Sequence, residues 1–174
     1  MRRVRYRVAT SLDGYIAGPQ GEADWIIMDP EIDFQGLFDQ FDTFLVGRRT
    51  FEIMAGQGRG ITPGVKTYVF SRTLRQPDHP GVTIVAEQAA ETVAGLRADT
   101  GKDIWLFGGA SLFGNLLEAG LVDTVEVAII PVLLGGGIPF LPPPAARTKL
   151  QLTNHRVYKT GIVSLEYAIQ PLAS

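Results

Sequence analysis

Four short apolar runs, "DTFLVG" (42–47), "KTYVFS" (66–71), "VTIVA" (82–86) and "DIWLFG" (103–108), do most to limit what this chain can fold into. Each has the length of a strand, and several are apolar on both faces, as in a parallel sheet covered by helices on both sides. Helix-like segments alternate with them. "EQAAETVAGLRADTG" (87–101) places Ala89, Val93 and Leu96 at helical spacing and stops at Gly101. "SLFGNLLEAG" (111–120) sets Leu112 with Leu116 and Phe113 with Leu117 on one face, ending at Gly120. "DPEIDFQGLFDQF" (29–41) predicts a further short helix with Pro30 in its first turn. Ahead of it, "VRYRVAT" alternates Val4, Tyr6 and Val8 with Arg5 and Arg7, the period of a half-buried strand. "KLQLTNHRVYKTGIVSLEYAIQ" (149–170) has no helical period and reads as two strands turning at Thr160–Gly161. The expected architecture is α/β, mostly parallel, closing with an antiparallel hairpin. With 174 residues and no linker-like tract, one domain over residues 1–174 is expected.

Composition narrows the function. Sixteen basic against eighteen acidic residues give a net charge of −2, which argues against a nucleic-acid or membrane-surface footprint. Any anion site must therefore be local. The chain has no cysteine, so disulfides, thiolate metal sites and a cysteine nucleophile are excluded. His79 and His155 are the only histidines, and no metal site is expected. The basic start "MRRVRYRVAT" lacks the apolar stretch of a signal peptide. No apolar run reaches the roughly 20 residues that span a bilayer. A cytoplasmic location is the expectation.

Three apolar strands end in glycine or polar turns: "FLVGRRT", "YVFSRT" and "WLFGGAS". Ligands of open α/β sheets bind outside the carboxyl ends of the strands, where helix N-termini supply N–H donors. If these strands are parallel neighbours, Gly47, Arg48, Arg49, Thr50, Ser71, Arg72, Gly108, Gly109 and Ser111 come together. Three guanidiniums, several hydroxyls and bare amides suit a ligand with several phosphates. Each piece has a plainer reading: the glycine pair as a turn, the arginines as a solvated helix start. Cations there oppose the helix dipole, however, which points to an anionic partner. "GASLFGN" has Asn115 where a P-loop needs lysine, and the region has no G-x-G-x-x-G fingerprint. After the first strand, "ATSLDGYIAG" forms a loop through Ser11, Asp13 and Gly14, a natural wall or lid; Asp13 equally suits a turn before glycine.

The segments "VATSLDGYIAG", "ADWI", "FDTFLVGRRTFE", "YVFSRTL" and "WLFGGASLFGNLLEAGLVDTVEVAIIPVLLGGGIPF" resemble, in order, the dihydrofolate reductase-like superfamily. Within it they are similar to the C-terminal reductase domain of bacterial riboflavin biosynthesis. The resemblance spans nearly the whole chain. It implies a mostly parallel eight-stranded sheet and an NADPH site. By position, Ala9 and Ile16 would lie near the nicotinamide, and Gly47, Arg48, Arg49 and Thr50 would hold phosphates, with Arg48 on the 2′-phosphate. Ser71 and Arg72 would flank the adenosine end, and Gly108, Gly109, Ala110, Ser111 and Leu112 would meet the pyrophosphate. The riboflavin reductase domains usually carry a glutamate before the paired glycines, where this chain has Phe107. Dihydrofolate reductase binds its pterin with a carboxylate in its first helix, and Asp33 is the nearest match here, with helix-surface solvation as the plain alternative. Trp25 is either a substrate-side wall or core.

These features lead to an expected NADPH-dependent reductase acting on a C=N or C=O bond of a small pteridine or aminopyrimidine-like substrate. Asp13 and Asp33 are the candidate catalytic residues that order a proton source; Trp25 and Phe107 are the candidate substrate residues. A dihydrofolate reductase proper and a non-catalytic nucleotide-binding dimer are the alternatives. The resemblance also implies a homodimer, for which the apolar "AIIPVLLGGGIPFLPPP" suits an interface or buried core plus loop.

Overall fold

A computed structural model of the protein describes residues 1–170. Ten strands and four helices follow in the order β1 (Val4–Ser11), β2 (Tyr15–Ala17), α1 (Phe34–Phe38), β3 (Phe41–Gly47), α2 (Arg48–Gly56), β4 (Lys66–Phe70), β5 (Thr83–Val85), α3 (Ala89–Ala98), β6 (Asp103–Gly108), α4 (Ala110–Glu118), β7 (Thr124–Ile130), β8 (Ile138–Pro139), β9 (Leu150–Val157) and β10 (Val163–Ile169). Eight strands form one sheet in the order β5-β4-β3-β6-β1-β7-β10-β9. From β5 to β7 every pairing is parallel; β10 then runs antiparallel to β7 and to β9.

Helices cover both faces, so the apolar strands bury both of theirs. On one face, α3 and α4 bring Val93, Leu96, Leu112, Phe113 and Leu116 onto Val4, Tyr6, Leu45, Ile104 and Leu106. Tyr6 and Phe113 stack with ring centroids 3.7 Å apart. On the other face, α1 and α2 place Leu37 and Phe51 over Phe41, Phe44, Val46 and Trp105.

Two sequence expectations change. The helix predicted over 29–41 is only Phe34–Phe38. Asp29 is drawn out of it because its carboxylate accepts from the Glu31 amide (2.9 Å) and the Thr160 hydroxyl (2.7 Å); Asp33 then caps the helix by accepting from the Gly36 amide. The first strand is not half-buried. It lies in the middle of the sheet, and Arg5 is only 7% exposed because β7 brings Glu126 against it.

Outside the main sheet, β2 pairs with β8 in a small antiparallel ladder. A Cβ on Gly137 would stand 2.2 Å from the Ala17 carbonyl oxygen, and its φ of +140° lies where side chains are disfavoured. This close approach explains one glycine of the "LLGGG" loop.

Candidate functional site

The register of β3, β4 and β6 aligns the three strand ends. Val46 stands beside Gly108, and Gly47 beside Phe70. The chain leaves β3 directly into α2 and β6 directly into α4, so two helix N-termini meet at one point. A Cβ on Gly47 would lie 3.0 Å from the Gly109 amide nitrogen, an approach that only glycine leaves unstrained. Gly108 has φ +143°, again in glycine's territory. Neither helix has a side-chain cap or an acidic residue in its first turn, and α2 begins with Arg48 and Arg49. The first-turn N–H groups of both helices thus lack the usual oxygen partner. Their dipoles add positive potential at the same place.

These ends open into a cavity of about 900 Å³. Its wall includes every cofactor-side candidate: Ala9, Ile16, Gly47, Arg48, Arg49, Thr50, Ser71, Arg72, Gly108, Gly109, Ala110, Ser111 and Leu112. Arg48 leans on Glu52 at 3.3 Å in an exposed pair, which constrains it little. Arg49 and Arg72 form no ion pair among the described residues. Ser71 shapes its turn by accepting from the Thr73 and Leu74 amides at 3.1 and 3.0 Å.

Phe107 also lines the cavity, packed on Trp105 (centroids 5.0 Å apart) and Phe44 (5.6 Å). Trp25 is not on the wall; its indole N–H donates to the Glu22 carbonyl at 3.0 Å. Asp13 and Asp33 are not on the wall either. Asp33 is engaged as the α1 cap. Asp13 accepts from the Leu134 and Gly135 amides at 3.1 and 2.8 Å. Hydrogen bonds from the Ser11 side chain and these amides hold the Asp13 carboxyl below the ordinary aspartate value.

Sequence reasoning missed one part of the wall. Arg7 and Glu126 face the cavity across the β1–β7 pairing. Glu126 is 3% exposed. Burial pushes its pKa up, but hydrogen bonds and charge from Arg5, the charge of Arg7 and the Thr124 hydroxyl outweigh that and leave it lowered. A signal was present: Glu126 is the lone acid inside the apolar run "TVEVAII", and Arg5 and Arg7 interrupt "VRYRV".

A crevice at the carboxyl ends of a mostly parallel, helix-covered sheet, with glycine-rich strand exits, is the dihydrofolate reductase-like fold. More narrowly, the chain belongs to the family of the RibD C-terminal domain, whose profile matches residues 2–164. The uncharacterized protein YyaP of Bacillus subtilis (strain 168) is 37% identical, over 95% of this chain and 94% of its own. Among solved structures, a putative riboflavin biosynthesis protein from a Shewanella species superposes with a TM-score of 0.83 at 24% identity, covering 97% of this chain and 99% of that one. A dihydrofolate reductase from Enterococcus faecalis, complexed with NADP(H), superposes at 0.70 with 20% identity, covering 97% of each chain. Among the described residues, no helix is long and apolar enough to cross a membrane.

Proposed function

We propose that this protein is an NADPH-dependent reductase acting on a C=N or C=O bond of a small heterocyclic substrate. The observation that carries this reading is the meeting of two uncapped helix N-termini, α2 and α4, at Gly47 and Gly109, ringed by Arg48, Arg49 and Arg72. Bare amides and guanidiniums that are free among the described residues (Arg49, Arg72) or held only by an exposed pair (Arg48) are the donor set that a dinucleotide's phosphates require. Membership of the RibD C-terminal domain family and the NADP(H) bound by the enterococcal reductase support the same choice.

When bound, the nicotinamide supplies the hydride. The chain's own residues bind and orient. Gly108 to Leu112 present backbone donors to the pyrophosphate, Arg48 takes the 2′-phosphate, and Ser71 and Arg72 border the adenosine. Ala9 is small and Ile16 is apolar, which lets a flat ring lie against β1 and β2.

Replacing Arg48 by alanine is expected to weaken NADPH about tenfold or more and leave NADH almost unchanged. One charge-assisted contact is worth about 1.5–3 kcal/mol. Fluorescence titration with both cofactors checks this; equal loss for both would mean Arg48 sits elsewhere, and no micromolar NADPH binding would sink the nucleotide reading itself.

A second reading is a protein that keeps the nucleotide pocket without turnover. It is favoured by the engagement of Asp13 and Asp33 outside the cavity wall. NADPH that binds but is not oxidised with any member of a pterin, aminopyrimidine and keto-acid panel would support it.

A further inference from the structure

Away from the phosphate end, the floor of the cavity carries charge to which the reductase reading assigns no role. There β1, β7 and β10 lie side by side. Their register sets Arg7 opposite Glu126, Glu126 opposite Glu166, and Ser164 opposite Ala128, all on one face. Arg7, Glu126, Ala128 and Ser164 line the cavity.

The two charges on this floor are in opposite situations. Glu126 Oε1 accepts from Arg5 Nε (2.6 Å) and Thr124 Oγ1 (2.9 Å); Oε2 accepts from Arg5 Nη2 (2.9 Å) and Arg7 Nη1 (2.7 Å). Four bonds fill a carboxylate's acceptor positions, so Glu126 has nothing left for a ligand. Arg7 uses only one nitrogen. Its Nη1 is held by Glu126 and stands 3.7 Å from Glu166, and that is its only side-chain hydrogen bond among the described residues. The edge formed by Nε and Nη2 is left with parallel donors, the edge that takes a carboxylate side-on through two bonds. The wall of the same cavity carries aromatic and apolar side chains, Trp105, Phe107, Phe38 and Leu37.

We propose that the substrate is a small planar molecule bearing a carboxylate, which docks side-on against the Nε–Nη2 edge of Arg7 with its ring among Trp105 and Phe107. Ser164 supplies a hydroxyl beside it. Glu126 is a positioning residue: it grips the far nitrogen of Arg7 and points the free edge at the ligand. This deepens the reductase reading and rests on it. A heterocycle whose recognised edge is made of amino donors needs a free carboxylate, and Glu126 on this floor has none of its acceptor positions to spare.

The test is calorimetric titration of the intact protein with benzoate, benzamide and phenyl phosphate, with and without NADPH. The wild type is expected to bind benzoate about tenfold or more tightly than benzamide, and NADPH is expected not to displace it. Arg7→Met should weaken benzoate about tenfold while NADPH affinity stays within about twofold. Arg7→Lys keeps the charge and loses the fork, so benzoate should fall by a similar factor. If Arg7→Met does not fold, Ser164→Ala serves, with an expected loss of about threefold to fivefold in benzoate affinity. Benzoate binding untouched by these changes, or benzamide binding as tightly, overturns the proposal. Phenyl phosphate binding better than benzoate, and surviving Arg7→Lys, overturns the carboxylate in favour of a phosphate. If benzoate behaves as expected and NADPH does not bind, the carboxylate site stands and the cofactor reading falls.

Discussion

Asp13 shows a charged side chain acting through backbone. Its carboxylate receives the Leu134 and Gly135 amides, and Leu12 N–H donates to the Val132 carbonyl at 3.0 Å beside it. Together these tie the "LLGGG" loop to the end of β1. The loop leads into β8, which pairs with β2, and β2 carries Ile16 on the cavity wall. Asp13→Ala should therefore speed hydrogen exchange at the Leu134 and Gly135 amides about fivefold to tenfold, the worth of one or two net hydrogen bonds. Asp13→Asn, which keeps one acceptor oxygen, should fall between the two. Unchanged exchange would remove Asp13 from this role. The contrast with Arg7 is instructive. A carboxylate before glycine attracts attention as chemistry, whereas an arginine in an alternating strand looks like a solvated face. Their surroundings reverse this, since Asp13 is satisfied by amides and Arg7 is left with open donors beside a cavity.

Among the elements, the junctions of β3 with α2 and β6 with α4 position the candidate site. Both were legible as strands ending in glycine before a helical run, because apolar runs and turn residues are local signals. What local signals do not carry is that Gly47 and Gly109 touch. Gly47→Ala would push a methyl to 3.0 Å from the Gly109 nitrogen, against the Gly108–Gly109 backbone with no flexible side chain to yield. The expected outcome is a loss of about 1–3 kcal/mol in chemical denaturation, as for other overpacked sites. NADPH affinity should fall along with it, because the two helix N-termini move apart. A neutral effect on both measurements would show that the ends have room to spare. The first helix illustrates the opposite failure. Its pattern extends over 29–41, but Asp29 finds better partners in Thr160 and Glu31, and a helix of five residues remains. Tertiary hydrogen bonds overrode a weak local preference.

At the scale of the whole molecule, the sheet ends on a strand that no other element covers among the described residues. All eight residues of β9 are exposed, including Leu150 (43%), Leu152 (48%) and Val157 (68%), while β10 beside it is half-buried along its length. We propose that this edge pairs two copies of the chain, as the apolar side chains and the unsatisfied strand edge both favour. Light scattering should give about twice 18.9 kDa, and Leu152→Asp should return the monomer. A monomeric wild type would refute it. Much of the architecture was readable beforehand: the alternation of strands with helices, the closing hairpin, the glycine and arginine cluster at three strand ends. Each rests on periodicity or turn chemistry within a dozen residues. The spatial order β5-β4-β3-β6-β1-β7-β10-β9 and its registers were not readable from those patterns. That order decides that Arg7 meets Glu126, 119 residues away, and that Asp29 meets Thr160, 131 away. By itself the sequence determined most of the strands, β1, β3 to β6 and the closing β9–β10 hairpin, and that three of them end in glycine, hydroxyl and arginine residues. Only the tertiary structure decided which charges on the cavity floor are cancelled and which stay open, because pairing across a sheet is set by packing of the whole core.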